Sequence, residues 1–264
     1  MNFSIMNKYI CIMLCCGLFF LTNCSFNNQS QDITDKTPQA QDPWEGMNRG
    51  TFVFNQFFDK YLLAPLAKGY RFILPGEVRT GVRNFFSNLK EPWTTINSAL
   101  QGDLKNTGNS LVRFCLNTTL GLLGIFDVAS SIGFEKQKED FGQTLAVYGL
   151  DSGPYLVLPF LGPSTVRDAV GKVAGIVGDP VTLALNREGK DDWLWIGTVV
   201  KGIDFREQNL EKIDNLEATS VDFYATIRSL YIERRNRMIR NQSSDKQDPF
   251  KDFDLDLPLM NDFE

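Results

Sequence analysis

The chain of 264 residues contains no histidine. That absence removes the side chain that most readily exchanges protons near neutrality, and with it Ser-His-Asp and Cys-His catalysis and His-ligated zinc. Ser-Lys and paired-carboxylate chemistry need only residues the chain has, yet no spacing singles out such a pair. Cysteine is scarce as well: Cys11, Cys15, Cys16 and Cys24 fall near the N-terminus, which leaves Cys115 alone. A lone thiol offers no intramolecular disulfide and reads as a small core residue. No run is long enough to span a bilayer; "YICIMLCCGLFFL" has 13 residues where a spanning helix needs about 20. Clean alternation beside hairpin turns is missing too, so no sheet is expected, and no tandem repeat is found. What the chain has in quantity is phenylalanine, 21 residues, together with 22% charged residues. So many bulky apolar side chains need somewhere to go.

The N-terminus reads as an export signal, with Lys8 before the apolar run and "LTNC" after it. Leu21 stands three residues before Cys24, the arrangement of a bacterial lipoprotein signal in which the cysteine is lipid-modified. Asn23 replaces the usual small residue, so a retained anchor or simple secretion stays open. Four segments follow: a signal over 1–23, a lipidated tether over 24–41, a helical domain over 42–240 and an acidic tail over 241–264. The tether is polar and aperiodic. The tail carries seven acids against Lys246 and Lys251, which equals the whole chain's net charge of −5. It reads as disordered and self-repelling, or as a weak docking segment for a basic partner.

The domain between them reads as all-α. Trp44, Met47, Thr51, Phe54, Phe58 and Tyr61 advance by threes and fours, while Phe52, Val53 and Phe57 make the same helix apolar around most of its circumference. Pro75 opens a helix with Val78, Val82, Phe85, Phe86 and Leu89 on one face, and Pro92 reads as the start of the next. Asp140 with Gln143, and Thr165 with Asp168, have capping-box spacing. Later helices are expected over Asp191–Arg206 and Glu207–Ile239.

Four places stand out, each with a plainer alternative. "NTTLGLLGIFDVAS", Asn117–Ser130, reads as a helical hairpin buried in the core or as a mobile apolar gate. "GPYLVLPFLGPSTVRD", Gly153–Asp168, is apolar yet too broken by Pro and Gly for a long regular element. Its Tyr155, Leu156, Val157, Leu158, Phe160 and Leu161 suit a loop at the membrane interface or the wall of an apolar cavity. Gly171, Gly175 and Gly178 line one helix face, which allows close packing. Arg228, Arg234, Arg235, Arg237 and Arg240 read as a solvated, ion-paired face or as contacts to anionic head groups.

Four stretches in series then resemble one family: "DPWEGMNRGTFVFNQFFDKYLLAP", "VRNFFSNLKEPWTTINSALQGD", "RFCLNTTLGLLGIFDVAS" and "DFGQTLAVYGLDSGPYLVLPFLGPSTVRD". They resemble the MlaA/VacJ family of outer-membrane lipoproteins. The resemblance implies a single ring of helices lying in the inner leaflet of the outer membrane around an amphipathic channel. It further implies removal of glycerophospholipids misplaced in the outer leaflet, transfer to a periplasmic carrier of the MlaC type, and association with trimeric porins. By position, Leu120, Gly121, Leu122, Leu123, Gly124, Ile125 and Phe126 are similar to the family's channel-side loop, and Phe54, Asn55 and Phe57 to the segment that influences its open state. Such a protein needs no cofactor, metal or nucleic acid. A structural lipoprotein that scaffolds porins and an envelope-anchored lipid hydrolase are the rival readings.

Overall fold

The structure, a computed structural model, describes residues 42–240. Cys24, the tether and the acidic tail lie outside them. Helix α1 (Glu45–Phe58) runs through a π-helical segment (Asp59–Leu63) into α2 (Ala64–Ile73). Then come α3 (Gly76–Leu100), α4 (Leu104–Thr119), α5 (Val128–Ser131) and α6 (Phe141–Val147). A hairpin of β1 (Tyr155–Leu158) and β2 (Gly162–Thr165) leads into α7 (Val166–Gly178) and α8 (Pro180–Arg187). The order closes with α9 (Asp191–Gln208), α10 (Leu210–Thr219) and α11 (Phe223–Ile239). Helix α3 packs along α4, α6 on α7, and α2 on α9. The expected caps form: Asp140 accepts from the Gln143 N–H at 3.0 Å, and Thr165 from the Asp168 N–H at 3.2 Å.

Four expectations are corrected. Gly153–Asp168 is not an irregular loop: Tyr155 and Val157 are buried between half-buried Leu156 and Leu158, the two-residue period of a strand. Proline survives in β2 because Pro163 faces Val157, whose N–H goes instead to the Asn48 side chain at 2.8 Å. Pro92 lies inside α3 rather than at a helix start. A proline there loses the bond to the carbonyl four residues back, at about 3 kcal/mol. Packing holds the helix on either side, since Glu91 is ion-paired to Arg113 of α4 at 2.8 Å. The last expected helix is two, broken at Ser220 with ψ 132° and restarted by Asp222, which accepts from the Ala225 N–H at 3.1 Å. Cys115 is exposed rather than buried.

The apolar interior is small. Tyr155, Val157, Tyr224 and Tyr231 form one cluster, Leu216 and Ile227 a second, and Ala64, Ala67 and Leu210 a third. Among the described residues, buried polar or charged side chains outnumber buried apolar ones more than two to one, while large apolar side chains lie exposed on every helix but α5, α10 and α11. Helix α7 shows the pattern in one turn after another. Its inner face carries Arg167, Asp168, Gly171, Lys172 and Gly175, and its outer face Val166, Val170, Val173, Ile176 and Val177. At Gly171 an added Cβ would lie 2.5 Å from the Gly142 nitrogen, so the glycine is what lets α7 approach α6.

Candidate functional site

The turn after α4 reverses the chain within seven residues, Leu120–Phe126. It does so by placing Leu122 at φ 52°, Leu123 at φ 59° and Gly124 at φ 92°. Left-handed backbone costs a residue with a side chain about 1–2 kcal/mol, so two leucines in a row must be held there by their surroundings. Bonds from the Leu123 N–H to Thr118 (3.0 Å), the Gly124 N–H to Asn117 (2.8 Å) and the Phe126 N–H to Gly121 (2.9 Å) fasten the backbone. Two side chains of α3 fasten it from outside, Asn84 to the Ile125 carbonyl at 3.1 Å and Asn88 to the Thr118 hydroxyl at 2.8 Å. Neither glycine takes a side chain without a shift of its surroundings, because a Cβ on Gly121 would lie 2.2 Å from the Phe126 carbonyl and one on Gly124 2.4 Å from the Asn88 Cβ. Leu120, Leu122, Leu123, Ile125 and Phe126 all project from this base and are exposed. The buried-hairpin reading is thereby corrected: the turn is an outward apolar knuckle on a fixed support.

A second exposed apolar group joins two stretches that sequence treats separately. Phe54 and Phe58 of α1 meet Phe160 of the β-turn edge to face, with ring centres 5.1 and 4.9 Å apart. Asn55 arranges this: it donates to the Leu158 carbonyl at 2.9 Å and accepts from the Phe160 N–H at 2.8 Å, which holds Phe160 at φ 61°. Two helical turns earlier, Asn48 donates to the Tyr155 carbonyl at 3.1 Å and accepts from the Val157 N–H. The two asparagines thus act as a substitute strand along β1. Phe57 points elsewhere, onto Tyr61 at 4.7 Å. Of the expected interfacial set, Phe160 is exposed, Leu156, Leu158 and Leu161 are half-buried, and Tyr155 and Val157 face inward and are buried.

Beneath these surfaces the helices are joined by ions. Arg113 donates to Glu91 of α3 at 2.8 Å, to Ser130 of α5 at 2.9 Å and to Asp127 at 3.0 Å. Burial would push the Asp127 carboxyl up, but bonds from Ser130, Arg113 and Asn117 outweigh it and hold the group at about 2. Arg235 of α11 spans Asp140, the cap of α6 (2.5 and 2.7 Å), and Asp168 of α7 (2.9 Å), and Asp168 also accepts from the Tyr231 hydroxyl at 2.6 Å. Arg235 is therefore a buried tie and not part of a solvated face, which corrects the reading of the arginine-rich helix. A third tie runs from Arg206 of α9 to Asp59 (2.8 Å) and Asp214 (2.7 Å). Sequence patterns place Asp140 and Asp168 in capping boxes and miss their arginine partner. Nothing in local spacing links positions 95 and 67 residues apart.

Fixed polar seams inside and apolar side chains outside define a class: a helical protein whose outer surface is made for an apolar partner or membrane. No helix among the described residues is long and apolar enough to cross a membrane. The chain belongs to the MlaA lipoprotein family, whose profile matches residues 40–238. It is 35% identical over 232 residues to the intermembrane phospholipid transport system lipoprotein MlaA of Escherichia coli (strain K12), covering 84% of this chain and 86% of that one. An uncharacterised protein of Rickettsia prowazekii (strain Madrid E) is 38% identical over 202 residues, covering 76% and 79%. A solved structure described as the structural basis for maintenance of bacterial outer membrane lipid asymmetry superposes with TM-score 0.66 at 35% identity, covering 75% of this chain and 99% of that one.

Proposed function

We propose that this chain takes glycerophospholipids out of the outer leaflet of the outer membrane and hands them to a periplasmic carrier of the MlaC type. In this reading it is tethered through lipidated Cys24 and lies in the inner leaflet as a ring of helices around an amphipathic passage, beside a trimeric porin. The observation that carries it is the reversed partition of side chains. An ionic, hydrogen-bonded interior keeps its form without a large oily core, and leaves phenylalanine, leucine and valine for acyl chains outside. Each such side chain taken fully out of water contributes about 1.5–3 kcal/mol to seating the protein. A lipid on its way through needs apolar walls for its tails and a wet, polar track for its head group. No covalent step is required. A passive path only equilibrates, so direction comes from the carrier downstream.

The apolar exterior suits a scaffold for porins as well, and one experiment separates the two. Leu122→Asp with Leu123→Asp places two charges on the exposed knuckle without touching its hydrogen-bonded base. In cells depending on this chain, surface phospholipid is then measured with a non-penetrating amine-reactive reagent. Transport predicts accumulation at the surface with porin association intact. Unchanged surface lipid in cells lacking the chain altogether would refute it.

A further inference from the structure

Helix α9 is divided along its length rather than around its circumference. Asp204, Phe205, Arg206 and Glu207, near its C-terminal end, are buried, whereas Trp193, Trp195, Ile196 and Val199, nearer its start, are exposed. Residues two apart on a helix stand about 200° from each other. Trp193 and Trp195, 63% and 73% exposed, therefore project from opposite sides. The turn that joins α8 to α9 is held by its own backbone: the Lys190 N–H donates to the Leu185 carbonyl at 2.9 Å and the Gly189 N–H to the Asn186 carbonyl at 3.2 Å, with Gly189 at φ 66°. Arg187, Glu188, Lys190 and Asp192 are exposed around this turn, and none of the four is ion-paired among the described residues.

We propose that the tip formed by α8 and α9 is an anchor in the head-group layer of a phospholipid leaflet, with α9 steep to the leaflet and Trp193 and Trp195 at the boundary between head groups and acyl chains. A protein surface covers one side of a helix, whereas a fluid layer surrounds it and so meets side chains that point in opposite directions. Indole suits that boundary because its ring is apolar while its N–H still needs an acceptor. The spacing agrees. The interfacial layer adds about 5–8 Å on each side of the hydrocarbon. At about 1.5 Å per residue, the tryptophans lie about 5–8 Å along the axis from Lys190, and Ile196 and Val199 about 9–14 Å. Charges thus fall at the water, indoles at the boundary and aliphatic side chains among the tails. The exposed charges of the turn, Arg187 and Lys190 with Glu188 and Asp192, are balanced in sign and complement the phosphate and ammonium of a zwitterionic head group. The assignment rests on the membrane seat in the proposed function and deepens it by fixing which end of the protein meets the head groups.

The test uses the full-length chain in phosphatidylcholine vesicles whose acyl chains carry bromine, a quencher of indole fluorescence, either next to the head group or near the chain end. Trp193→Phe with Trp195→Phe removes both indoles with little change of bulk, so the difference from the unmodified chain is the emission of the pair. That emission is quenched at least about twofold more by the shallow bromine than by the deep one, since indoles gather at the interface. Val199→Trp in the doubly substituted chain reverses the order, and Ile196→Trp serves where that variant does not fold by helical circular dichroism. Equal or deeper quenching of the pair overturns the proposal, and shallow quenching at Val199→Trp overturns it too by laying α9 flat. Flotation separates this inference from the reading beneath it: a chain that floats with its pair unquenched loses the anchor and keeps the membrane seat, and a chain that does not float with the vesicles loses both. In neutral detergent, emission of the pair that moves to shorter wavelength as protein concentration rises assigns the tip to a second copy and overturns the proposal.

Discussion

Gly124 and Gly133 have nearly the same backbone, φ 92° and 95°, and differ in what surrounds them. Alanine at Gly133 meets nothing within 4 Å and pays only for left-handed backbone, about 1–2 kcal/mol. Alanine at Gly124 pays the same and also drives its methyl to 2.4 Å from the Asn88 Cβ. Asn88 is buried and bonded to Thr118, so it has nowhere to swing. Relief requires a backbone shift of the overpacking kind, about 1–3 kcal/mol, or loss of the Asn88 bond, about 1 kcal/mol. Gly124→Ala is thus expected to be less stable than Gly133→Ala by about 1–3 kcal/mol. For a domain of this size that is about 2–12 °C in melting temperature. Thermal unfolding of both variants in the same detergent, read at 222 nm by circular dichroism, measures the difference. On the transport reading, displacing the turn that carries Leu122 and Leu123 should also raise surface phospholipid in cells with Gly124→Ala and not with Gly133→Ala. Equal melting temperatures would refute the claim that the knuckle is braced by α3.

Arg235→Met removes the cation between Asp140 and Asp168 and leaves two buried carboxylates facing each other; thermal unfolding should show a loss of about 3–5 kcal/mol. Asn48→Ala orphans a buried carbonyl and N–H of β1, at about 2–5 kcal/mol in urea unfolding, whereas Asn55→Ala costs less because the groups it serves lie nearer solvent. Burial raises the Glu139 carboxyl to about 7, Gln101 opposing and Asp140 adding to the rise. A folded-state value above the unfolded one means that stability is full below about pH 4.5 and falls as pH climbs to about 7. Glu139→Gln, which keeps the neutral form, should match the unmodified chain near pH 4.5 and exceed it at pH 8 by up to about 3 kcal/mol.

Much of the helix order was legible because caps and breakers act locally: Asp140, Thr165 and Pro75 stand where their helices begin. The polarity of the faces was not. The stripe of Trp44, Met47, Thr51, Phe54, Phe58 and Tyr61 runs along α1 into the π-helical segment, yet Trp44, Met47, Phe54 and Tyr61 are exposed and Thr51 and Phe58 half-buried, while Asn48 points inward. Periodicity tells which residues share a face and is silent about which solvent that face meets. The β-hairpin was missed for a related reason. Its prolines and glycines argue against a strand, and what overrules them is side-chain bonding from α1, more than a hundred residues away. The apolar knuckle was found through its composition, but its rigidity depends on Asn84 and Asn88, whose role only the third dimension supplies.

One further consequence follows from how the hairpin is rimmed. A two-stranded ribbon ordinarily offers two raw margins to which a foreign chain can add and start an aggregate. Here Asn48 and Asn55 occupy one margin, and the Lys172 ammonium reaches the Pro163 carbonyl on the other at 3.3 Å. A strand from another chain would therefore find both margins of the hairpin already occupied, by two asparagines on one side and a lysine on the other.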